Sequence, residues 1–247
     1  SLLGGSKVQI GGPTAAFVTI IYSIIQEHGL DGLITAVIMA GVMLVIMGLL
    51  KFGTLIKYIP KTITVGFTAG IALTLVSTQL KDFFGLKIED VPSEFIPKWE
   101  SYFSNMNTID MWSMAIGLLC IAIIVLWPKI NKTIPGSMIA LIVATLMVKF
   151  MNIPIDTIGS RFTEISSAIP VPVLPSFSIG TINKLFVPAV TIAILGALES
   201  LLSAVVADEM IGDTHDSNME LVAQGLANIT SGLFGGIPAT GAIARTA

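Results

Sequence analysis

GGPTAAF at residues 11–17 and GGIPATGAIA at residues 235–244 decide how this chain folds. Each places glycines and a proline where an apolar run would otherwise continue as a helix. Both residue types disrupt a helix interior, and proline suits a helix's first turn. Each stretch therefore reads as a short extended lead-in followed by a helix that starts midway through a membrane. The two are expected to face each other and hold an anion.

The composition calls for a bilayer. Hydrophobic residues make up 53% of the 247 and charged residues only 12%, against about 25% charged in soluble domains, and the mean hydropathy is +0.88. Long uncharged runs fall at Leu33 to Leu50, Thr62 to Leu80, Met111 to Pro128, Thr133 to Val148, Leu185 to Leu198 and beyond, and Leu221 to Ala244, with a shorter one from Pro13 to Gln26. A span needs roughly 20 apolar residues, so the prediction is an all-α polytopic membrane protein. Half-length segments are expected at Pro13 and Pro238. The chain starts at Ser1 and stops at Ala247 just inside a new apolar segment, which reads as a piece of a longer transporter.

Other classes find little support. The net charge is −3 with no Lys/Arg-rich block, so nucleic acid is not an expected partner. A lone Cys120 allows neither an intramolecular disulfide nor a cysteine metal cluster. The runs hold no Gly-x-Ser-x-Gly element, metal-spaced histidines or close Asp pair, so an intramembrane enzyme is not expected. No cofactor is called for. His28 and His215 fall in predicted loops, the methionines and phenylalanines read as packing, and Asn218 and Glu220 as caps or braces for the helix they begin.

Loop charges orient the chain. Lys51, Lys57 and Lys61, then Lys129 and Lys132, mark two loops as cytoplasmic, whereas residues 82–100 are mostly acidic. The helix after Pro13 then runs outward and the helix after Gly241 inward. Similar segments of opposite direction imply an inverted repeat, and interrupted helices in matching positions point to a midplane substrate site. Residues 1–150 read as the end of a first repeat, 151–182 as an extramembrane connection and 183–247 as the start of a second.

The chemistry follows from the helix starts. First-turn N–H groups inside a bilayer need a partner, and each N-terminus carries about half a positive charge. Two such termini make an anion site without a formal cation. Thr14 and Thr240 are candidate hydroxyl donors, and the neighbouring glycines and alanines leave the backbone open to a small ligand. Glu199 has uncharged neighbours for 14 residues before it and 8 after it. An ionisable group at that depth is a functional candidate, here a carboxyl that takes up a proton and couples it to the anion. Arg245, one turn into the second half-helix, would add positive potential or pair with Glu199. The plainer readings are a helix-to-helix hydrogen bond for Glu199, an arginine that snorkels, and prolines that only kink.

GGSKVQIGGPTAAF (4–17), FGTLIKYIPKTITVGFTAGIAL (52–73) and the run from Gly196 to Thr246 resemble the SulP family of anion permeases. The last run is the most specific, with its acid, Ala-Asp, His, Asn-Met-Glu-Leu, Gln-Gly, Gly-Gly-Ile-Pro and Ala-Arg-Thr elements in order. The resemblance implies fourteen transmembrane segments in two inverted repeats, split into core and gate domains and usually followed by a STAS domain. This chain would hold about segments 3 to 7 and then 8 to the start of 10. It implies an anion bound between Pro13, Thr14 and Ala15 on one side and Gly241, Ala242 and Ile243 on the other, with Arg245 nearby. Sodium-coupled members carry Asp at the place of Glu199 and a hydroxyl four residues later, here Ser203. Glutamate therefore favours proton coupling or anion exchange, and Ser203 keeps sodium open. The expected function is secondary active transport of an inorganic anion, sulfate before bicarbonate or a dicarboxylate, in the plasma (inner) membrane and as a homodimer at full length. A nucleobase permease of the same fold would place acids in both segments 8 and 10, where the second half-helix here offers Gly, Ala and Arg.

Overall fold

The computed structural model describes residues 3–58, 61–92, 94–131, 133–161, 170–173, 175 and 178–246, with the side chains of 56–58, 61, 63, 64, 67, 161, 243 and 244 outside the description. Lys132 thus lies outside the described residues, and Lys57, Lys61 and Ile243 are described in backbone alone. The chain divides into two compact units, Ser1–Ile71 with Ile169–Ala247, and Ala72–Ala168.

In the first unit a 3-10 turn, Ala15–Phe17, leads into α1, Val18–Leu49. Helical bonding is nominally continuous, yet Gly29 takes φ 69° and ψ −173°, a conformation close to glycine's alone. A straight helix would hold Phe17 and Leu44 about 40 Å apart. Both instead lie against Gly196, whose Cβ position is 3.6 Å from Leu44 Cδ1 and 3.9 Å from Phe17 Cζ, while Gly32 approaches Leu185. So α1 folds back at Gly29 as a hairpin. Its first arm, 18–28, is about 16 Å long, half the thickness of a hydrocarbon core of about 30 Å. The half-length segment expected after Pro13 is therefore present. His28, expected in a loop, is helical because the arm runs to the glycine with no loop between.

Helices α7, Ile179–Ile211, and α8, Ser217–Leu233, complete this unit. Phe17, Ile24, Leu33, Val37 and Leu44 pack on Leu185, Ile192, Ala193, Leu201 and Leu221. The second arm of α1 and α8 run antiparallel, with Gly48 on Val222 and Gly232 on Ile38. Where they cross, a Cβ on Gly41 would stand 2.7 Å from the Gly225 carbonyl oxygen and one on Gly225 2.6 Å from that of Gly41. Small residues that let backbones touch are how helices associate in lipid, where apolar burial gives little. The uncharged run 221–244 is not one helix. It stops at Leu233, where Gly235 takes φ 72° and Pro238 follows. The helix of the run from Leu185 begins earlier than that residue: α7 is capped by Ser178, which accepts from Thr181 N, and it ends at Gly212 with φ 68°.

The second unit takes in most of α2, Lys61–Phe84, with α3, Phe95–Ser104, α4, Met111–Ile130, α5, Gly136–Met151, and the single turn α6, Ile158–Arg161. Asp110 caps α4, its carboxylate accepting from Ser113 N at 2.9 Å and Ser113 Oγ at 2.6 Å. Those bonds hold its pKa below the ordinary carboxylate value. The indole of Trp127 donates to Ile134 O at 3.1 Å and pins the α4–α5 turn. Among the described residues, Ala15–Leu49, Met111–Ile130 and Ile179–Ile211 are long and apolar enough to cross a membrane.

Candidate functional site

The two glycine–proline stretches meet. β1, Gly11–Gly12, pairs antiparallel with β2, Thr240–Gly241, in the register Gly11↔Gly241 and Gly12↔Thr240. Ala242 N extends the ladder to Ile10 O at 2.9 Å. Each strand then feeds a helix start, Ala15–Phe17 into α1 on one side and α9, Ile243–Thr246, on the other. Pro13, Thr14, Ala15, Gly241, Ala242 and Ile243 are thus gathered within three residues of one bridge.

Hydroxyl groups of α7 fasten this bridge. Thr240 Oγ1 donates to Gly196 O at 2.9 Å, so it must accept from Ser200 Oγ at 2.8 Å, and Ser200 in turn accepts from Gly241 N at 3.1 Å. A second chain runs beside it. Thr246 Oγ1 donates to Ala242 O at 2.8 Å and accepts from Ser203 Oγ at 3.2 Å and from Ile10 N at 3.2 Å. Each hydroxyl has one proton, so Thr240 has none left for a ligand, and Ser203 gives its proton to Thr246 while its oxygen keeps its lone pairs. Thr240, expected as a donor to the anion, is a brace. Ser203 likewise ties α7 to α9.

Glu199 is 7% exposed in the middle of α7, and Thr14 Oγ1 donates to its Oε2 at 2.6 Å. The hydroxyl expected to face an anion is therefore turned to the carboxylate. Thr14 caps none of its own helix's N–H groups, which leaves that first turn without a side-chain partner. Arg245 does not pair with Glu199. It is exposed and donates from Nη2 to Pro13 O at 3.2 Å, across the mouth of the bridge. Its reach is set by the register, which places it over Gly12.

Several residues of the site escaped the sequence reading. Ser200 joins both strands' support, since its carbonyl also accepts from Gln9 Nε2 at 2.8 Å. Its signal was present: Gly196, Ser200, Ser203 and Ala207 are small, all buried, and spaced to share one helix face. On α8, Asn228 grips the Ala239 peptide at both ends, Nδ2 donating to its carbonyl at 2.8 Å and Oδ1 accepting from its N–H at 2.9 Å, and Gln224 Nε2 adds a third bond at 2.7 Å. Buried amides at i and i+4 in an apolar helix were the available clue.

The lead-in to β1 is tied down at the α7–α8 loop. Glu220 accepts from Gly5 N at 2.9 Å and Ser6 N at 3.2 Å, so it braces the segment that leads to β1 rather than its own helix, which Asp216 caps. His215 is loop-structuring, with Nδ1 2.6 Å from Asp208 Oδ2 and Nε2 2.9 Å from Ser217 Oγ. Lys7 and Asp213 form an exposed ion pair at 2.5 Å, and the Lys7 hydrogen bond holds the Asp213 carboxyl below its usual pKa.

Known proteins share this arrangement of sequence and fold. A family model described as the sulfate permease family matches residues 1–247. "Putative sulfate transporter YvdB" of Bacillus subtilis (strain 168) is 45% identical over 248 residues, which cover 100% of this chain and 47% of that protein. The bicarbonate transporter BicA of Picosynechococcus sp. is 34% identical over 256 residues, 100% of this chain and 45% of that one. The solved transmembrane domain of a cyanobacterial BicA superposes with a TM-score of 0.86 at 30% identity, over 99% of this chain and 63% of the other. SLC26A9 shares the fold, with a TM-score of 0.81 at 21% identity. The chain spans about half the length of the curated relatives it matches. Its full-length family match, its 45% identical relative and the helical membrane fold agree: the chain belongs to the sulfate permease family.

Proposed function

We propose that this chain carries the substrate site of a secondary active inorganic-anion transporter, with sulfate as the anion and Glu199 as the proton-coupling group. One observation supports this reading above the others: the pairing of β1 with β2 sets the first turns after Thr14 and Ala242 beside a single buried carboxylate. Anions favour such first turns, because the N–H groups point outward and the dipole is positive there. Arg245 adds a formal charge at the mouth.

The Thr14–Glu199 bond supplies a coupling mechanism. While Glu199 is ionised it accepts the Thr14 hydrogen bond and sets a negative charge beside the anion, which it repels. Protonated, the carboxyl donates to Thr14 Oγ1 instead, which frees the Thr14 O–H for the anion and removes the charge. Proton and anion binding then favour each other, and by linkage the effect is mutual. The bridge, braced on α7 and α8, would move with them as one body past the rest of a full-length homodimer.

Sulfate comes first because the 45% identical relative is named for it. Bicarbonate is the second reading, supported by the likeness to BicA. The full-length protein in liposomes, given labelled sulfate with and without an inward proton gradient, tests both parts. Concentrative uptake that needs the gradient supports them. Uptake of bicarbonate alone, driven by sodium, overturns both.

A further inference from the structure

The buried polar side chains of α8 fall four residues apart: Glu220, Gln224 and Asn228. That spacing puts them on one face of the helix. Gln224 and Asn228 hold the Ala239 peptide, just before β2. Glu220, one turn earlier, holds Gly5 and Ser6, ahead of β1. One stripe on one helix therefore grips the lead-ins to both halves of the bridge.

The two halves are not held equally. At β2, Thr240 is bonded to Gly196 O and Ser200, Gly241 N is bonded to Ser200, and α8 adds the bonds to Ala239. At β1 the side-chain bonds come from Gln9, which reaches Ser200 O, and from Thr246, which accepts from Ile10 N. The ladder itself is two residues long, and a pair of strands that short is at best marginal alone. The place of β1 thus depends on what fastens the chain upstream.

Glu220 has the geometry of that fastening. Its Oε2 accepts both N–H groups, and Asp216 N returns a bond to Gly5 O at 3.2 Å. Gly5 lies so close to α8 that a Cβ there would stand 1.9 Å from Asp216 O and 2.8 Å from Glu220 N. The carboxylate is buried in the first turn of α8, where the helix dipole favours a negative charge. From Ser6 to Ile10 an extended chain spans at most about 14 Å, so the anchor leaves β1 little slack. The exposed Lys7–Asp213 ion pair beside it adds little by comparison.

We infer that Glu220 is a positioning residue for the anion site: by fixing Gly5 and Ser6 to the start of α8, it sets where the first turn after Thr14 stands opposite Ala242. The inference rests on the anion site proposed above. One oxygen takes both bonds, and Oε1 takes none among the described residues. An amide nitrogen therefore fits in the place of Oε1, and what the site needs is the acceptor rather than the charge.

Hydrogen exchange read by mass spectrometry on the full-length protein in detergent, with labelled-sulfate binding measured on the same samples, provides the test. Glu220→Ala should speed exchange across residues 5–10 at least tenfold, leave residues 236–240 within about twofold of wild type, and weaken sulfate binding at least fivefold. Glu220→Gln should restore all three. Gly5→Ala leaves the carboxylate in place but pushes the segment off α8, and should reproduce the Glu220→Ala pattern. Equal loosening of both segments in the two alanine variants would mark a general loss of stability and overturn the inference. So would sulfate binding unchanged despite a loosened 5–10, or a glutamine that restores nothing. A wild type that binds no sulfate, with the selective exchange intact, would support the clasp and overturn the choice of sulfate instead.

Discussion

Thr14 and Glu199, 185 residues apart in sequence, share a 2.6 Å hydrogen bond that joins the start of α1 to the middle of α7. The bond links the proposed anion site to the one acid buried beside it. Glu199→Gln retains the size and an acceptor but removes the titration. Gradient-driven sulfate accumulation should then fall at least tenfold, to what exchange alone supports, while sulfate binding in detergent stays within a few-fold of wild type. Accumulation unchanged by the substitution would remove Glu199 from coupling.

If the two first turns hold the anion, side chains that fill the space between them should exclude it. Thr14→Phe and Ala242→Phe are each expected to abolish labelled-sulfate binding, with the thermal transition of the purified protein retained. Thr14→Ser keeps the hydroxyl and should bind. Sulfate binding that survives both phenylalanines would defeat the paired-terminus site.

Gly11 and Gly241 face each other in the bridge but differ in what surrounds them. A Cβ on Gly241 would stand 1.7 Å from Gln9 Nε2 and 3.0 Å from Ser203 Cβ, whereas one on Gly11 would be 3.8 Å from Thr240 O. Overpacking of the first kind costs about 1–3 kcal/mol. Gly241→Ala should therefore lower the unfolding temperature, and Gly11→Ala should leave it nearly unchanged. Equal effects would mean that the bridge is not packed as described.

How far the sequence carried the site depends on what each residue's signal was. Gly11 to Thr14 and Gly235 to Gly241 were legible because glycine and proline have few uses in an apolar run. Glu199 was legible because charge is expensive there. The roles of Thr14, Thr240 and Ser203 were not, because a hydroxyl's single proton goes to whichever acceptor the fold brings near, and Gly196 O, Ala242 O and Glu199 are brought near only by tertiary structure. For Arg245 depth alone left two roles open, positive potential at the site or a pair with Glu199, and the strand register decides that its side chain reaches Pro13.

Asn228 tests a residue that only the structure exposed. Its amide satisfies both polar groups of the Ala239 peptide, the peptide just before Thr240. Asn228→Ala leaves those groups buried with one bond from Gln224, at about 1–3 kcal/mol for an unsatisfied buried polar group. Thermal unfolding should shift downward, and sulfate binding should weaken because the bridge is looser. Asn228→Asp keeps an acceptor for Ala239 N but loses the donor, and should fall between the two. A wild-type transition in Asn228→Ala would show that β2 is held by α7 alone.

The hairpin in α1 makes the half-length first arm possible, and it turns on one glycine. Gly29 sits at φ 69° with open space where a Cβ would go, so a substitution there meets no neighbour and any effect is the backbone's own. Residues forced into such sparsely populated regions lose about 1–3 kcal/mol. Gly29→Ala should lower stability by that order. Gly66, inside α2, has the same open surroundings without the positive φ, and Gly66→Ala should be neutral or stabilising. Because the first arm is too short to cross the membrane, straightening it would draw Pro13 and Thr14 away from Gly241 and Glu199. Sulfate binding by Gly29→Ala should thus weaken along with stability, whereas Gly66→Ala should leave binding unchanged.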